Sequence, residues 1–249
     1  MMDTMEQPYL VISGVRRRHC IAMLLTAVAL MPPLSTTAAT TTTAATAVAV
    51  SKRLLVVGDS LSAEYGLERG SGWVALLAQK LKDQAGSMGA VGSVEVINAS
   101  ISGDTTSGGR ARLAALLERH KPSHVIVELG GNDALRGLPL AQTEDNLTAM
   151  ARMARQAGAK VMLLGMQVPP NYGRSYAEHF AGLYTKVARS EHTALVPFFL
   201  AGIADDAEPL RWFQADRIHP VQAAHPKILA TIWPTLKPWL DASAAPRAK

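Results

Sequence analysis

Strands alternating with helices along the chain predict an α/β protein, a flavodoxin-like three-layer α/β/α sandwich around a five-stranded parallel sheet. Three observations carry that prediction. Five short apolar runs, at residues 53–57, 94–97, 125–129, 161–164 and 195–200, have strand length. The segments between them place apolar residues at helical spacing. The first and third runs end in glycine-bearing polar turns, Gly58-Asp59-Ser60 and Gly130-Gly131-Asn132-Asp133.

Taken in order, residues 53–57 read as a buried strand that feeds a turn. Residues 73–81 then form a helix with Trp73, Leu76, Leu77 and Leu81 on one face. A second strand at 94–97 leads into a polar loop, 98–109, and a helix over 110–120 carrying Leu113, Leu116 and Leu117. The third strand is followed by a helix within 143–157, the fourth by a helix over 176–190, and the fifth by a closing helix over 221–240. Pro226 and Pro234 are expected to interrupt or bend that last helix. Crossovers between parallel strands should be right-handed. No internal repeat and no interior low-complexity linker is present.

The chain has 249 residues, of which 48% are apolar and 18% charged, enough for a sizeable core and too little charge for a disordered chain. Its net charge of +5 lies partly in Arg16-Arg17-Arg18, and no basic stripe with interleaved aromatics occurs elsewhere. Nucleic acid is therefore not an expected partner. Arg16 to His19 read as a positive n-region before the short apolar stretch 20–30, which Pro32 and Pro33 break. That stretch is too short to span a bilayer as a helix. It reads as a signal peptide in an extended, Ala/Thr-rich leader, with cleavage patterns ending at Ala47 and Ala49. A membrane anchor or a mis-assigned start codon are the alternatives. The expected organisation is a leader at 1–49, one α/β domain at 50–241 and a flexible tail at 242–249. The expected destination is periplasmic or secreted, with no stable membrane span in the mature protein. Cys20 is the only cysteine, so a mature chain has neither a disulfide nor a cysteine metal site.

In open parallel sheets reactive groups collect at the carboxyl ends of the strands. Four polar segments fall there: 58–60, 100–104, 130–133 and the Asp216-Arg217-Ile218-His219-Pro220 run ahead of the last helix. A serine hydroxyl needs a base to take its proton as it attacks, and an imidazole can accept that proton and return it to a leaving group. Ser60 and His219 suit these tasks. Asp216, three residues before the histidine, can accept from the other ring nitrogen and stabilise the imidazolium. Each element alone is a common turn or surface feature; their order and spacing are informative together. Asp59 and Asp133 are expected to hold loops, and Ser62 to cap or begin the next helix. His120, His124, His179, His192 and His225 have no partner at ligand spacing, so neither a metal nor another cofactor is expected.

These residues carry a family resemblance. Gly58-Asp59-Ser60-Leu61-Ser62 resembles the first block of the SGNH (GDSL) hydrolases, and Ser100-Ile101-Ser102-Gly103-Asp104-Thr105 the second. Gly130-Gly131-Asn132-Asp133 resembles the third, and Asp216 to Pro220 the last. Segments 135–139, 169–173 and 198–204 are similar to the bacterial thioesterase I/lysophospholipase L1/arylesterase branch. The resemblance implies a serine esterase with Ser60 as nucleophile and Asp216 and His219 completing a triad. It further implies an oxyanion hole made by the backbone N–H groups of Ser60 and Gly103 and the amide of Asn132. The donor arrangement differs from the Gly-x-Ser-x-Gly elbow of other α/β-hydrolases. Arg217 stands where a small residue, often glycine, is expected.

The expected substrates are small-molecule or lipid esters and thioesters: acyl or aryl esters, with lysophospholipids as one candidate. Leu135, Leu138, Pro169, Pro170 and Tyr172 are candidate walls of an acyl groove. A carbohydrate O-deacetylase on the same fold is one alternative. A non-catalytic flavodoxin-like binding protein, holding a phosphate at the Gly58 turn, is another. The sequence leaves the oligomeric state open.

Overall fold

In the computed structural model, residues 52–87 and 93–242 are described, and all belong to one compact unit. The leader expected at 1–49 and almost all of the expected tail lie outside the described residues. Five strands, β1 (Lys52–Gly58), β2 (Val94–Asn98), β3 (His124–Glu128), β4 (Lys160–Leu164) and β5 (Ala194–Val196), form one sheet in the order β2-β1-β3-β4-β5. Every pairing is parallel. The strand order reverses between β1 and β3, and a crevice opens at the carboxyl end of the sheet at such a switch point.

Helices cover both faces. On one, α1 (Trp73–Ser87) packs with α6 (His225–Asp241); on the other, α4 (Leu140–Gln156) packs between α2 (Thr106–His120) and α5 (Arg174–Ser190). The central strands are buried on both sides, and Leu54 to Val57 of β1 and Val125 to Val127 of β3 have essentially no exposure. This is why they read as continuous apolar runs without alternation. In α4 the buried positions Thr143, Asn146, Leu147, Met150, Ala151 and Ala154 follow the three-and-four spacing of a helix face.

The helix over 110–120 in fact starts at Thr106, because the Thr105 side chain accepts from the Gly108 N–H at 3.2 Å and caps it. The fifth strand stops at Val196, short of residue 200: Pro197 has no N–H to extend the ladder. Pro226 stands in the first turn of α6, where an N–H is dispensable, and the helix then continues through Pro234 and Pro238. A short helix, α3 (Gly131–Leu135), follows β3 where a loop was expected.

Candidate active site

The site is built on the segments that leave β1, β2 and β3, together with the loop before α6. Asp59 and Ser60 turn the chain out of β1. The N–H groups of Ser62 and Ala63 close back onto the Asp59 carbonyl at 3.2 and 3.0 Å. Gly58 has no room for a side chain. A Cβ there would lie 2.6 Å from the Glu128 carboxyl and 3.0 Å from Ser100 Oγ. The cause is register: Gly58 pairs with Glu128 across the β1–β3 ladder.

Ser60, His219 and Asp216 form one chain of hydrogen bonds. Ser60 Oγ and His219 Nε2 are 2.8 Å apart, and His219 Nδ1 is 2.6 Å from Asp216 Oδ2. Asp216 Oδ1 accepts the backbone N–H groups of Ile218 and His219 at 2.9 and 3.0 Å. Partial burial raises the Asp216 pKa, but these bonds and the neighbouring imidazole outweigh it and hold the carboxyl at about 2. It stays ionised through the neutral range. An ionised carboxylate on Nδ1 selects the tautomer in which Nε2 is free to accept the serine proton.

The loop bearing Asp216 and His219 is fastened by an antiparallel bridge between Phe213 and Pro220 and by Gln214. The Gln214 backbone N–H donates to the His219 carbonyl at 2.8 Å, and its side-chain amide donates to the Tyr65 and Pro220 carbonyls. Arg217 adopts φ +59°, a left-handed conformation that favours glycine and explains the small residue expected there. The Tyr65 ring packs on the His219 imidazole with centroids 4.2 Å apart.

Gly103 turns the loop after β2 with φ +78°. Its carbonyl accepts from Arg136 Nη2 at 2.8 Å, which ties it to the end of α3. Neither its N–H nor that of Ser60 is engaged in a hydrogen bond among the described residues. Asn132, at the start of α3, donates from Nδ2 to Asp59 Oδ2 at 2.9 Å, which leaves its second amide N–H available.

Beneath the turn lies a buried polar cluster. Asp59, 2% exposed, also accepts the Leu61 N–H at 3.0 Å, and its own N–H donates to Glu128 Oε2 at 3.3 Å. Glu128, fully buried, accepts the Ser62 hydroxyl at 2.6 Å, and Ser62 in turn accepts from Trp73 Nε1 at 3.1 Å. Ser62 therefore neither caps nor opens a helix: it is locked under the turn, and α1 begins only at Trp73. Burial, and secondarily the nearby Asp59 charge, push the Glu128 pKa well up. Burial raises Asp59 to about 6 against the pull of its hydrogen bonds. Asp133, expected to hold loops, instead ties α3 to the first turns of α2 and α4, accepting from Thr106 and Thr143. Of the structural histidines, His124 is buried and lowered to about 4 by burial, then by Lys160 and Lys52. His225 accepts the Trp73 backbone N–H at 3.0 Å.

Of the groove candidates, Leu135 is 49% exposed at the end of α3 and Leu138 is half-buried. Pro169 is exposed; Pro170 opens a 3₁₀ turn, Pro170–Tyr172, and Tyr172 stacks on Tyr176 with centroids 5.9 Å apart. Sequence reasoning missed Tyr65, Gln214, Arg136 and Glu128. Glu128 did leave a signal, as an acid inside the apolar run 125–129. Arg136 lies within the segment 135–139, and Tyr65 and Gln214 left none beyond nearness to a motif.

A serine, a histidine and a carboxylate in line at the carboxyl end of a doubly wound parallel sheet are the equipment of a serine hydrolase. The chain belongs to the GDSL-like Lipase/Acylhydrolase family, whose profile matches residues 56–226. It is 54% identical over 192 residues to Esterase TesA of Pseudomonas aeruginosa, covering 77% of this chain and 91% of that protein. It is 41% identical over 193 residues to Thioesterase 1/protease 1/lysophospholipase L1 of Escherichia coli strain K12, covering 78% and 87%. The fold matches the crystal structure of the psychrotrophic esterase EstA from Pseudoalteromonas sp., inhibited by monoethylphosphonate. That match has a TM-score of 0.70 and 38% identity, covering 77% of this chain and all of that one. The protein is an ester hydrolase on a five-stranded α/β sandwich.

Proposed function

We propose that this enzyme cleaves acyl or aryl carboxylic esters and thioesters, lysophospholipids among them, with Ser60 as nucleophile, His219 as general base and then acid, and Asp216 as its orienting carboxylate. The unbroken Ser60–His219–Asp216 hydrogen-bond chain carries this reading. Ser60 Oγ attacks the ester carbonyl while His219 Nε2 takes its proton. The carbonyl oxygen becomes an oxyanion facing the free N–H groups of Ser60 and Gly103 and the second N–H of Asn132. Each such donor contributes about 3 kcal/mol to the transition state. Collapse expels the alcohol or thiol, protonated by His219, and water then repeats the sequence on the acyl-enzyme. A phosphonate, the inhibitor class named for the Pseudoalteromonas esterase, suits a nucleophilic serine.

The substrate side is argued from apolar exposure. Among the described residues, five large hydrophobic side chains are exposed, and of these Tyr65, Ile101 and Ile218, on loops, and Leu135, at the end of α3, belong to the segments that carry the site. Scattered exposed apolar residues mean little, but four of five lying on the segments that carry a polar site favours an acyl chain or aryl ring. The segments carrying Leu138, Pro169, Pro170 and Tyr172 extend that set in this reading. Residues 1–49 are then an export leader, 50–241 the catalytic domain, 242–249 a loose tail, and the mature enzyme is periplasmic or secreted. Among the described residues, no helix is long and apolar enough to cross a membrane.

The test is hydrolysis of a p-nitrophenyl ester series from C2 to C16 beside Ser60→Ala. Activity that is lost in the variant, with a preference for chains longer than acetyl, is the expected result. Activity unchanged by Ser60→Ala would remove the nucleophile assignment, and strict acetyl preference would favour the O-deacetylase. Intact mass of the exported protein locates the leader cleavage, and a product retaining residues 1–49 refutes it.

A further inference from the structure

We propose that Asp59 is a positioning residue for ester hydrolysis, holding the Asn132 amide in the one orientation that presents an N–H to the oxyanion. The proposal rests on the oxyanion reading above. The two ends of a carboxamide have nearly the same shape, so packing alone does not decide which end faces the substrate. A flipped Asn132 would aim its carbonyl at the developing negative charge. Asp59 prevents this because a carboxylate only accepts hydrogen bonds. Its Oδ2 takes one Nδ2 proton at 2.9 Å, and the second proton is left for the substrate.

The geometry fixes Asp59 itself from three sides. Oδ1 is held by the Leu61 N–H, its backbone N–H by Glu128, and Glu128 by Ser62. Trp73 Nε1 donates to Ser62 Oγ, so the Ser62 proton is directed onto Glu128. Glu128 Oε1 is buried without a hydrogen-bond partner among the described residues. Two adjacent buried carboxyls do not both ionise readily. The one with two N–H donors to its side-chain oxygens keeps the charge, and that is Asp59. The other groups that face it are His219 on the loop before α6, which favours its ionised form, and Asp104 after β2, which opposes it.

The experiment is a double-mutant cycle in p-nitrophenyl butyrate hydrolysis at pH 8, with wild type, Asp59→Asn, Asn132→Ala and the double variant. Asp59→Asn is expected to lower kcat by about 10-fold or more, with KM within about 2-fold. In the Asn132→Ala background the same substitution should change kcat by less than about 2-fold, because its route of action is already gone. Independent, multiplicative losses overturn the proposal while leaving the oxyanion reading intact. An Asn132→Ala variant with full kcat overturns both. If Asp59→Asn does not fold, the Asn132 side-chain amide resonances of a His219→Ala variant give a second test. They should titrate with a midpoint at or above about pH 6. Resonances that stay fixed between pH 4 and 8 refute the coupling.

Discussion

The two walls of the candidate active site are held in different ways. On the strand side, Asp59, Ser62 and Glu128 are buried, and their bonds run into the β1–β3 ladder and α1. On the loop side, the Asp216 and His219 side chains are 38% and 16% exposed, held by the Phe213–Pro220 bridge, Gln214 and their own turn. The difference teaches where activity and stability are separable. On the proposed reading, a change on the loop wall removes chemistry and leaves the core untouched. A change on the strand wall meets close-packed side chains and disturbs both.

Substitutions on the reacting chain should show this separation at its largest. Ser60→Ala is expected to reduce kcat by at least ~10³-fold, and Asp216→Asn by ~10²–10⁴-fold. Melting temperatures should stay within about 2 °C of wild type, since neither side chain is buried in the core. A large drop in melting temperature for Asp216→Asn would mean that the loop wall is part of the folding unit.

On the strand wall, Gly58→Ala is the sharpest probe. The added methyl would meet the Glu128 carboxyl, Ser100 and Ser62 within about 3 Å. Overpacking of this kind costs ~1–3 kcal/mol, so urea denaturation should show a clear loss together with reduced esterase activity. A variant as stable as wild type would show that the turn can shift away from β3.

A third prediction uses pH. In the folded protein Asp59 holds its proton up to about 6, against an ordinary value of 3.8. Between those values the folded state binds more protons than the unfolded one, so this group's contribution falls as pH rises through that window. Asp59→Asn removes the term. The melting temperature of the variant relative to wild type should therefore rise between pH 4 and pH 7. A constant difference would show that Asp59 is not perturbed by burial. His124, lowered to about 4, acts in the opposite sense in both proteins and cancels in the comparison.

The smallest effect is expected at Arg217. Replacing this left-handed arginine by glycine relieves backbone strain of about 1 kcal/mol, partly offset by a more flexible unfolded chain. The expected result is a melting temperature raised by no more than about 3 °C, with kcat/KM within about 2-fold. A large loss of activity would give the Arg217 side chain a role in substrate recognition.

Much of the molecule was determined by sequence alone. The central parallel strands are legible because strands buried on both faces must be apolar throughout, as in residues 54–57 and 125–127. The candidate triad and oxyanion residues are legible because each sits in a short polar segment at a strand end or before the last helix. Only the tertiary structure decided what stands behind them. The pairing of Gly58 with Glu128 brings a buried acid under the Ser60 turn, and β1 and β3 are far apart in sequence. The Tyr65 ring on His219, the Arg136 contact to Gly103 and the Asp59–Asn132 bond each join segments separate in sequence. Local pattern records which element a residue belongs to. Which buried charge faces which is set by strand register and by the order in which the sheet is assembled.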